Sequence, residues 1–201
     1  MNNVVKHFKL ITRHKAEVFK LMKKLGPGFY VQGLTHDLSK YSPTEFWTSV
    51  KYYSGRYSPT RNERNDKGYS LVWLHHKGRN KHHFEYWTDY IGSERDGLKP
   101  CIMPPRYFCE MICDRIAAAK TYNKEKYKDM DPYDYFDKNS TNDPGINPVI
   151  RKSLGKVLHF MGVKGENEAF EELRKVFILY GNKGTLMYTM INDRDLYFKE
   201  D

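Results

Sequence analysis

The strongest constraint on the fold is a histidine at the centre of an otherwise apolar helical stripe near the N-terminus. Steps of three and four residues predict a helix over residues 4–25, followed by Gly26 and Pro27 as helix-ending residues. The inward stripe consists of Val4, His7, Ile11, His14, Val18, Leu21 and Leu25. A buried imidazole needs a partner, so His14 is either an ordinary hydrogen-bonded core histidine or a ligand. His7, on the same stripe, is interpreted as an ordinary buried histidine.

A carboxylate occupies a comparable place on a second predicted helix. Pro104 and Pro105 open this helix, which is predicted to run to about Tyr122. Its inward face consists of Tyr107, Met111, Asp114 and Ala118. An unpaired buried carboxylate is costly, so Asp114 has either a basic residue of another helix or a metal ion as its partner. Its position alone favours neither.

The dipeptide His36-Asp37 lies between a short apolar segment, residues 29–34, and a well-marked helix start. The signals of that start are Ser42 as N-cap, Pro43 in the first turn and Glu45 completing a capping box. The dipeptide therefore ends one helix or begins a tight link. Adjacent residues can serve one centre only where the backbone does not turn them to opposite sides. Lys40, three residues later, and the other candidate ligands strengthen the interpretation of this pair as part of a site.

Half of the eight histidines fall in one short segment. They are His75, His76, His82 and His83. A basic surface turn would explain some of them, but aromatic neighbours such as Trp73 and Phe84 indicate that part of the group is buried. The helix predicted before the segment is weakly amphipathic. The sequence therefore does not decide which member of each histidine pair points inward.

Taken in order, these residues resemble the ligand pattern of the HD-domain superfamily, whose core is a small helical bundle around one, two or three metal ions. The resemblance covers roughly residues 8–122 and implies an all-α bundle with a C-terminal helical appendage. The basic ligand set corresponds to His14, His36, Asp37 and Asp114, and the histidines that add a second metal correspond to His75, His76, His82 and His83. Residues 102–119 look like the last ligand helix of HD-GYP-type phosphodiesterases, without the Gly-Tyr-Pro element. The whole pattern also looks like an uncharacterised HD-like family from bacteria and phages.

The resemblance implies metal-dependent hydrolysis of a phosphate ester, on a nucleotide or a related phosphorylated small molecule. One or two divalent ions are expected, from among Mn, Mg, Fe, Zn, Co and Ni, with Asp37 as the bridging ligand. Lys40 and Arg115 are expected to hold the phosphate, and Glu85 is a candidate acid behind the ligands. Two alternatives stay open. One is an HD-type di-iron oxygenase, which the same His/Asp ligand set does not separate from a hydrolase. The other is a protein with a degenerate HD core that binds a nucleotide or a partner without catalysis.

Composition agrees with a single domain whose basic charge is explained first by a solvated surface, and which can also attract an anionic small-molecule substrate. The chain has 201 residues, of which 39% are hydrophobic and 15% aromatic. A helical core is expected over residues 1–125, with a linker and helical extension over residues 126–201 packed on it. The net charge of +9 suits an anionic substrate. Nucleic acid is less favoured, because the basic residues are mixed with acids and no nucleic-acid-binding motif is present. The oligomeric state is left open.

The expected location is the cytoplasm. No apolar run reaches the length of a membrane span, so no membrane partner is expected, and the N-terminal residues do not resemble a signal peptide. The cysteines, Cys101, Cys109 and Cys113, lack CxxC spacing and are expected to be free thiols.

The remaining segments predict loops and two C-terminal helices. Residues 57–65, 92–100 and 126–145 are polar and predict loops or long connections. One helix is predicted to start at Asn147-Pro148 and run to about Met161, and another covers residues 166–180. The segment 184–198 predicts a short strand or hairpin.

Overall fold

The computed structural model describes residues 2–55, 57–90, 97–193 and 195–200, which form an all-α protein with one small sheet. The helices are α1 (Asn3–Lys24), α2 (Tyr30–Thr35), α3 (Pro43–Lys51), α4 (Pro59–Lys67), α5 (Leu71–Lys77), α6 (Pro105–Asn123), α7 (Asp131–Ser140), α8 (Pro148–Lys164), α9 (Glu166–Tyr180) and α10 (Leu186–Asn192). The expected all-α class is confirmed. Across the described ranges, no helix combines the length and the apolar character needed to cross a membrane.

Helices α1 and α6 form the central pair of the bundle. The Asn2 side chain caps α1 by accepting a hydrogen bond from the Val4 amide, and Gly26, with φ of 109°, follows its last turn. The predicted stripe of α1 is buried from His7 onward. Because α1 packs along α6, it brings His14 next to Asp114.

The C-terminal helices supply an apolar part of the core. Helices α8, α9 and α10 pack on one another and bury Leu154, Val157 and Leu173. The hydroxyl of the fully buried Tyr188 donates a hydrogen bond to the Met103 carbonyl at 2.6 Å. This bond links α10 to the start of α6, so the apolar core supports the helix that carries Asp114.

The prediction of a loop at residues 57–65 is wrong, because α4 covers most of this segment. Ser58 caps α4 by accepting a hydrogen bond from the Arg61 amide, and Gly68, with φ of 79°, ends it. The helix has no apolar stripe. Its buried Glu63 fixes it to α5 by accepting a hydrogen bond from the Ser70 hydroxyl at 2.7 Å, a tertiary contact that the local pattern does not reveal.

Three further segments differ from expectation. The connection predicted at 126–145 contains α7, whose Phe136 is buried against the core. The segment 184–198, where a strand or hairpin is expected, contains α10, and residue 194 lies outside the described part. The buried face of α10 consists of Met187, Tyr188 and Ile191. The loop predicted at 92–100 ends in β2 (Leu98–Pro100), which pairs antiparallel with β1 (Thr88–Tyr90), while residues 92–96 lie outside the described part.

Candidate metal centre

Four side chains from three segments converge at one buried point. His14 Nε2 on α1 lies 2.9 Å from Asp114 Oδ1 on α6. His36 Nε2 lies 3.6 Å from the same oxygen and 3.3 Å from Asp37 Oδ2. One ligand atom from each of the four residues lies within 4.8 Å of the others. The structure therefore brings together the four residues that the HD resemblance assigns to the basic ligand set.

The backbone at residues 36–37 explains how adjacent residues serve one centre. His36 caps the end of α2, and Asp37 adopts the left-handed conformation with φ of 54° and ψ of 26°. This region is uncommon for residues other than glycine, although aspartate tolerates it better than most. The reversal brings both side chains to one centre before the 3₁₀ turn Leu38–Tyr41. Backbone strain of this kind clusters at functional sites.

Asp37 directs its two carboxylate oxygens to two groups of imidazoles. Oδ2 faces His36 and His14, whose Nε2 atoms lie 3.3 and 4.0 Å away. Oδ1 faces His76 and His82, whose Nε2 atoms lie 3.3 and 3.5 Å away. One carboxylate thus lies between two possible metal positions.

The histidine cluster divides between the centre and its surroundings. His76, His82 and His83 join Asp37 in a second set whose ligand atoms lie within 4.8 Å of one another. His75 lies outside both sets, which corrects its inclusion among the candidate ligands. Successive residues of a helix point about 100° apart, so α5 cannot turn both His75 and His76 to the same centre.

Two buried glutamates hold the candidate ligands from behind. Glu110 Oε1 lies 2.8 Å from His36 Nδ1 and 3.2 Å from His82 Nδ1. Glu45 Oε2 lies 2.9 Å from His76 Nδ1. A carboxylate on Nδ1 fixes the tautomer that leaves Nε2 available to a metal, and it raises the basicity of the imidazole.

The sequence did not assign either glutamate to the site. Glu45 was expected to close a capping box, and its amide does donate to the Ser42 hydroxyl at 3.4 Å. However, the Ser42 amide donates to the Ser39 carbonyl, and the Glu45 carboxylate turns inward, where Oε1 also lies 2.6 Å from His75 Nδ1. Glu110 lies one turn before Asp114 on α6, and that spacing was the available signal.

The inner atoms of the cluster lack the partners that buried polar atoms normally have. Nε2 of His36, His82 and His83 and Oδ1 of Asp37 are buried without a hydrogen bond, although such groups are satisfied in most proteins. Atoms that bind one ion at about 2.0–2.2 Å lie roughly 3–3.5 Å apart, which is close to the separations found here. The residues therefore fit divalent cations, and mixed imidazole and carboxylate ligands suit ions such as Fe, Zn and Mn.

The charges of the centre keep its carboxylates ionised, as metal ligands must be. Burial alone would raise the pKa of Asp37, but His36 and Lys40 hold that pKa well below its usual value, and the Lys40 ammonium lies 2.6 Å from Asp37 Oδ2. Burial likewise opposes ionisation of Asp114, whose pKa His14 and His36 hold well below its usual value. Against the same effect of burial, hydrogen bonds from His36 and His82 lower the pKa of Glu110 to about 2.

Two adjoining cavities reach the centre. The larger has a volume of about 540 Å³ and is lined by Arg115, Glu85 and Tyr135 among others. The smaller, of about 230 Å³, is lined by Lys40 and His7 among others. Both are bordered by Trp73, His83, Asp114, Ala118 and Tyr122. The two basic residues expected to hold the phosphate therefore lie in different cavities.

Glu85, the candidate acid, is oriented into the interior. Its Oε2 atom is buried without a hydrogen bond. Burial raises the pKa of its carboxyl, against the opposing effects of a backbone hydrogen bond and of Arg115. Glu85 thus belongs to the wall of the larger cavity, beside the centre but outside both ligand sets.

His7 is buried as expected, but its Nδ1 atom has no hydrogen-bond partner. Its ring packs against Phe46 and Tyr53, with centroid distances of 5.4 and 5.9 Å. Burial, and then the charge of Lys40, lower the pKa of His7 to about 4. The ring is therefore neutral at pH 7 and keeps an unused polar atom.

A comparison with known protein families identifies the family of the chain. One family model matches residues 3–159, and its description is a family of unknown function, DUF5662. The chain belongs to DUF5662. No curated protein and no solved structure matches. The DUF5662 match contains every candidate ligand and both orienting glutamates, and it extends beyond residue 125, the expected end of the core, into α8.

The description of DUF5662 names no activity and no link to the HD-domain superfamily. The HD assignment accordingly rests on the order of the ligands along the chain and on their convergence, and it stays a proposal.

Proposed function

We propose that this DUF5662 protein is a metal-dependent phosphohydrolase of the HD type that holds two divalent cations. The observation that carries the proposal is the position of Asp37, whose two oxygens face two sets of buried ligands. A carboxylate shared between two ligand sets is what a two-metal site requires. The proposed substrate is a phosphate ester of a nucleotide or a related small molecule.

Paired divalent cations lower the pKa of bound water and clamp the oxygens of a phosphoryl group. The residues of the chain position the reactants around them. Glu110 and Glu45 orient the imidazoles, as their contacts with Nδ1 indicate. Lys40 offers a point charge on one side of the centre, and Arg115 offers a planar fork of donors on the other. The net charge of +9 favours the approach of an anionic substrate.

Glu85 is the proposed acid behind the ligands, on the side of the centre that faces the larger cavity. It lines the larger cavity together with Arg115, and its buried Oε2 atom has no partner within the protein.

Metal analysis of protein purified without chelator, followed by a phosphate-release screen over nucleotides and other phosphate esters, tests the proposal. We expect about two divalent ions per chain, and phosphate release that a chelator stops and added metal restores. Bound iron with oxygen consumption and no phosphate release would identify the oxygenase alternative. A protein that holds no metal and takes up none would be a binding protein without this chemistry.

We also propose that the protein works in a reducing, cytoplasmic environment. Its cysteines, Cys101, Cys109 and Cys113, are all free thiols, and free thiols persist where glutathione and thioredoxin keep them reduced.

A further inference from the structure

Two residues that line the smaller cavity carry buried polar atoms that the proposed reaction does not use. His7 Nδ1 and Thr121 Oγ1 have no hydrogen-bond partner in the protein, although each residue is only 5% exposed. Both residues line the cavity that also holds Lys40. A buried polar atom without a hydrogen-bond partner destabilises the folded protein. Two such atoms on residues that line one cavity indicate that a polar molecule binds there.

Helical register places these atoms at one level, two turns away from the metal ligands. His7 lies two turns before His14 on α1, and Thr121 lies two turns after Asp114 on α6. His14 contacts Asp114 at 2.9 Å, and His7 and Thr121 line the same cavity. Helices α1 and α6 therefore run in opposite directions along this cavity. Two turns span about 10 Å, which is the length of a compact phosphate ester.

The surroundings of these atoms select a neutral hydroxylated group. Neutral His7 has one donor and one acceptor nitrogen, and the Thr121 hydroxyl both donates and accepts. A hydroxyl group of a ligand can match both roles, whereas a second anionic group accepts only and a cation is repelled by Lys40. Further hydroxyls that line the cavity belong to Ser49, Ser58 and Thr60.

The volume of the cavity limits the size of this group. A volume of about 230 Å³ holds several waters or one small molecule. Apolar side chains such as Leu10, Ile11 and Val72 form part of the wall and suit a short carbon chain. A polyol of three to five carbons fits both the volume and the polarity.

We propose that the smaller cavity is a subsite for the polyol part of the substrate, with its phosphoryl group at Lys40 and a far hydroxyl bound by His7 and Thr121. This subsite rests on the proposed function and narrows it. The substrate is then a phosphate ester whose alcohol is a compact polyol.

Binding measurements on the metal-loaded, full-length protein test the subsite. The probes are inorganic phosphate, 3,4-dihydroxybutylphosphonate as a compact polyol that resists hydrolysis, and benzylphosphonate as an aromatic compound without hydroxyls. Calorimetry should show that the dihydroxy compound binds at least tenfold more tightly than benzylphosphonate. His7→Phe and Thr121→Val should each reduce this preference about fivefold to tenfold, the worth of one hydrogen bond, without changing the affinity for inorganic phosphate.

Ser153→Ala is the matched control, because it removes a buried hydroxyl that lies outside both cavities. Thr121→Val preserves side-chain shape, so it decides the test even where His7→Phe fails to fold. Equal binding of the two phosphonates by the wild type, or a preference unchanged in Thr121→Val, would overturn the subsite while leaving the hydrolase proposal intact. A metal-loaded protein that binds none of the three probes would instead overturn the proposed function, and the subsite with it.

Discussion

The two ends of the core are built from different chemistry. Around α8, α9 and α10 the interior is apolar. The buried Tyr188 and Ser153 hydroxyls donate to backbone carbonyls, and Asn192 Oδ1 is a buried atom of this end without a hydrogen bond. Where α1 meets α6, the interior holds carboxylates and imidazoles with several unsatisfied inner atoms. The buried or half-buried carboxylates are Asp37, Asp114, Glu45 and Glu110. Burial of apolar area explains the stability of the apolar end. It does not explain the polar end, whose side chains surround a possible cation-binding position.

Asp37→Ala should have the largest effect on metal binding and activity at the polar end. Both ligand sets lose their shared member, so we expect loss of bound metal. Activity should fall by more than the roughly 10–100-fold that removal of a residue behind the ligands costs. Elemental analysis and phosphate release measure the two effects. In chelator, the thermal midpoint should stay close to that of the wild type, because the surrounding helices keep their own apolar stripes.

A purely structural role for Asp37 predicts a different pattern. Removal of one member of a buried ion pair leaves an unpaired charge and costs roughly 3–5 kcal/mol, here at His36 and Lys40. A large fall of the midpoint both with metal and in chelator, with metal content unchanged, would therefore contradict the metal role. The wild type supplies the reference, since metal at 100 times its Kd should stabilise it by about 2.7 kcal/mol.

The two orienting glutamates should differ in the number of metals that they affect. Glu110→Gln weakens the support of His36 in one set and of His82 in the other, so both metals should bind about 10–100-fold more weakly. Glu45→Gln affects His76 alone among the candidate ligands, so one metal should weaken and the other should not. Titration with a competing chelator resolves the two affinities. Identical binding curves for the two variants would refute this division.

Leu154→Ala tests the apolar end of the core. Leu154 on α8 is fully buried, and its truncation should cost about 2–5 kcal/mol of unfolding free energy. Because no metal ligand is touched, urea unfolding should show the same loss in chelator and with metal. A fall in metal content would show that the apolar end and the polar end are coupled.

The candidate ligands were easier to predict than the residues that support them. His14 and Asp114 were recognisable because each interrupts an apolar stripe, which leaves a polar group that needs a buried partner. Glu45 was assigned a local role at the start of α3, and a local role conceals a tertiary one. The choice between His75 and His76 depends on the rotation of α5 about its axis, which its short and weakly amphipathic sequence does not determine.

The same division applies to the fold. Helix α9 was predicted with its observed bounds because it has a wide apolar face and ends at Gly181. Helix α4 was missed because a single buried carboxylate, Glu63, fixes it to its neighbour. Helix α10 was missed because its short buried face depends on the distant Met103, which accepts the Tyr188 hydrogen bond.

The smallest effect is expected at the seam between the two ends, where Glu166 on α9 contacts both central helices. Its carboxylate lies 2.6 Å from the Lys24 ammonium of α1 and also pairs with Lys120 of α6. Burial alone would raise the pKa of Glu166, but the two lysines hold it below its usual value. A carboxyl with a lowered folded pKa stabilises the protein above the unfolded pKa, near 4.3, and this contribution is lost as the pH falls through the folded value.

Glu166→Gln should therefore cost about 1 kcal/mol or slightly more near pH 7, since partly exposed ion pairs contribute up to about 1 kcal/mol each. The cost should shrink as the pH falls below 4 and as salt screens the pairs, whereas the loss caused by Leu154→Ala should change little under either condition. Urea unfolding at several pH values and two salt concentrations measures both variants. Glu171→Gln, at an exposed position of the same helix, is the control and should stay within about 0.5 kcal/mol of the wild type. A cost at Glu166 that is independent of pH and salt would show that shape rather than charge joins the polar end to the apolar one.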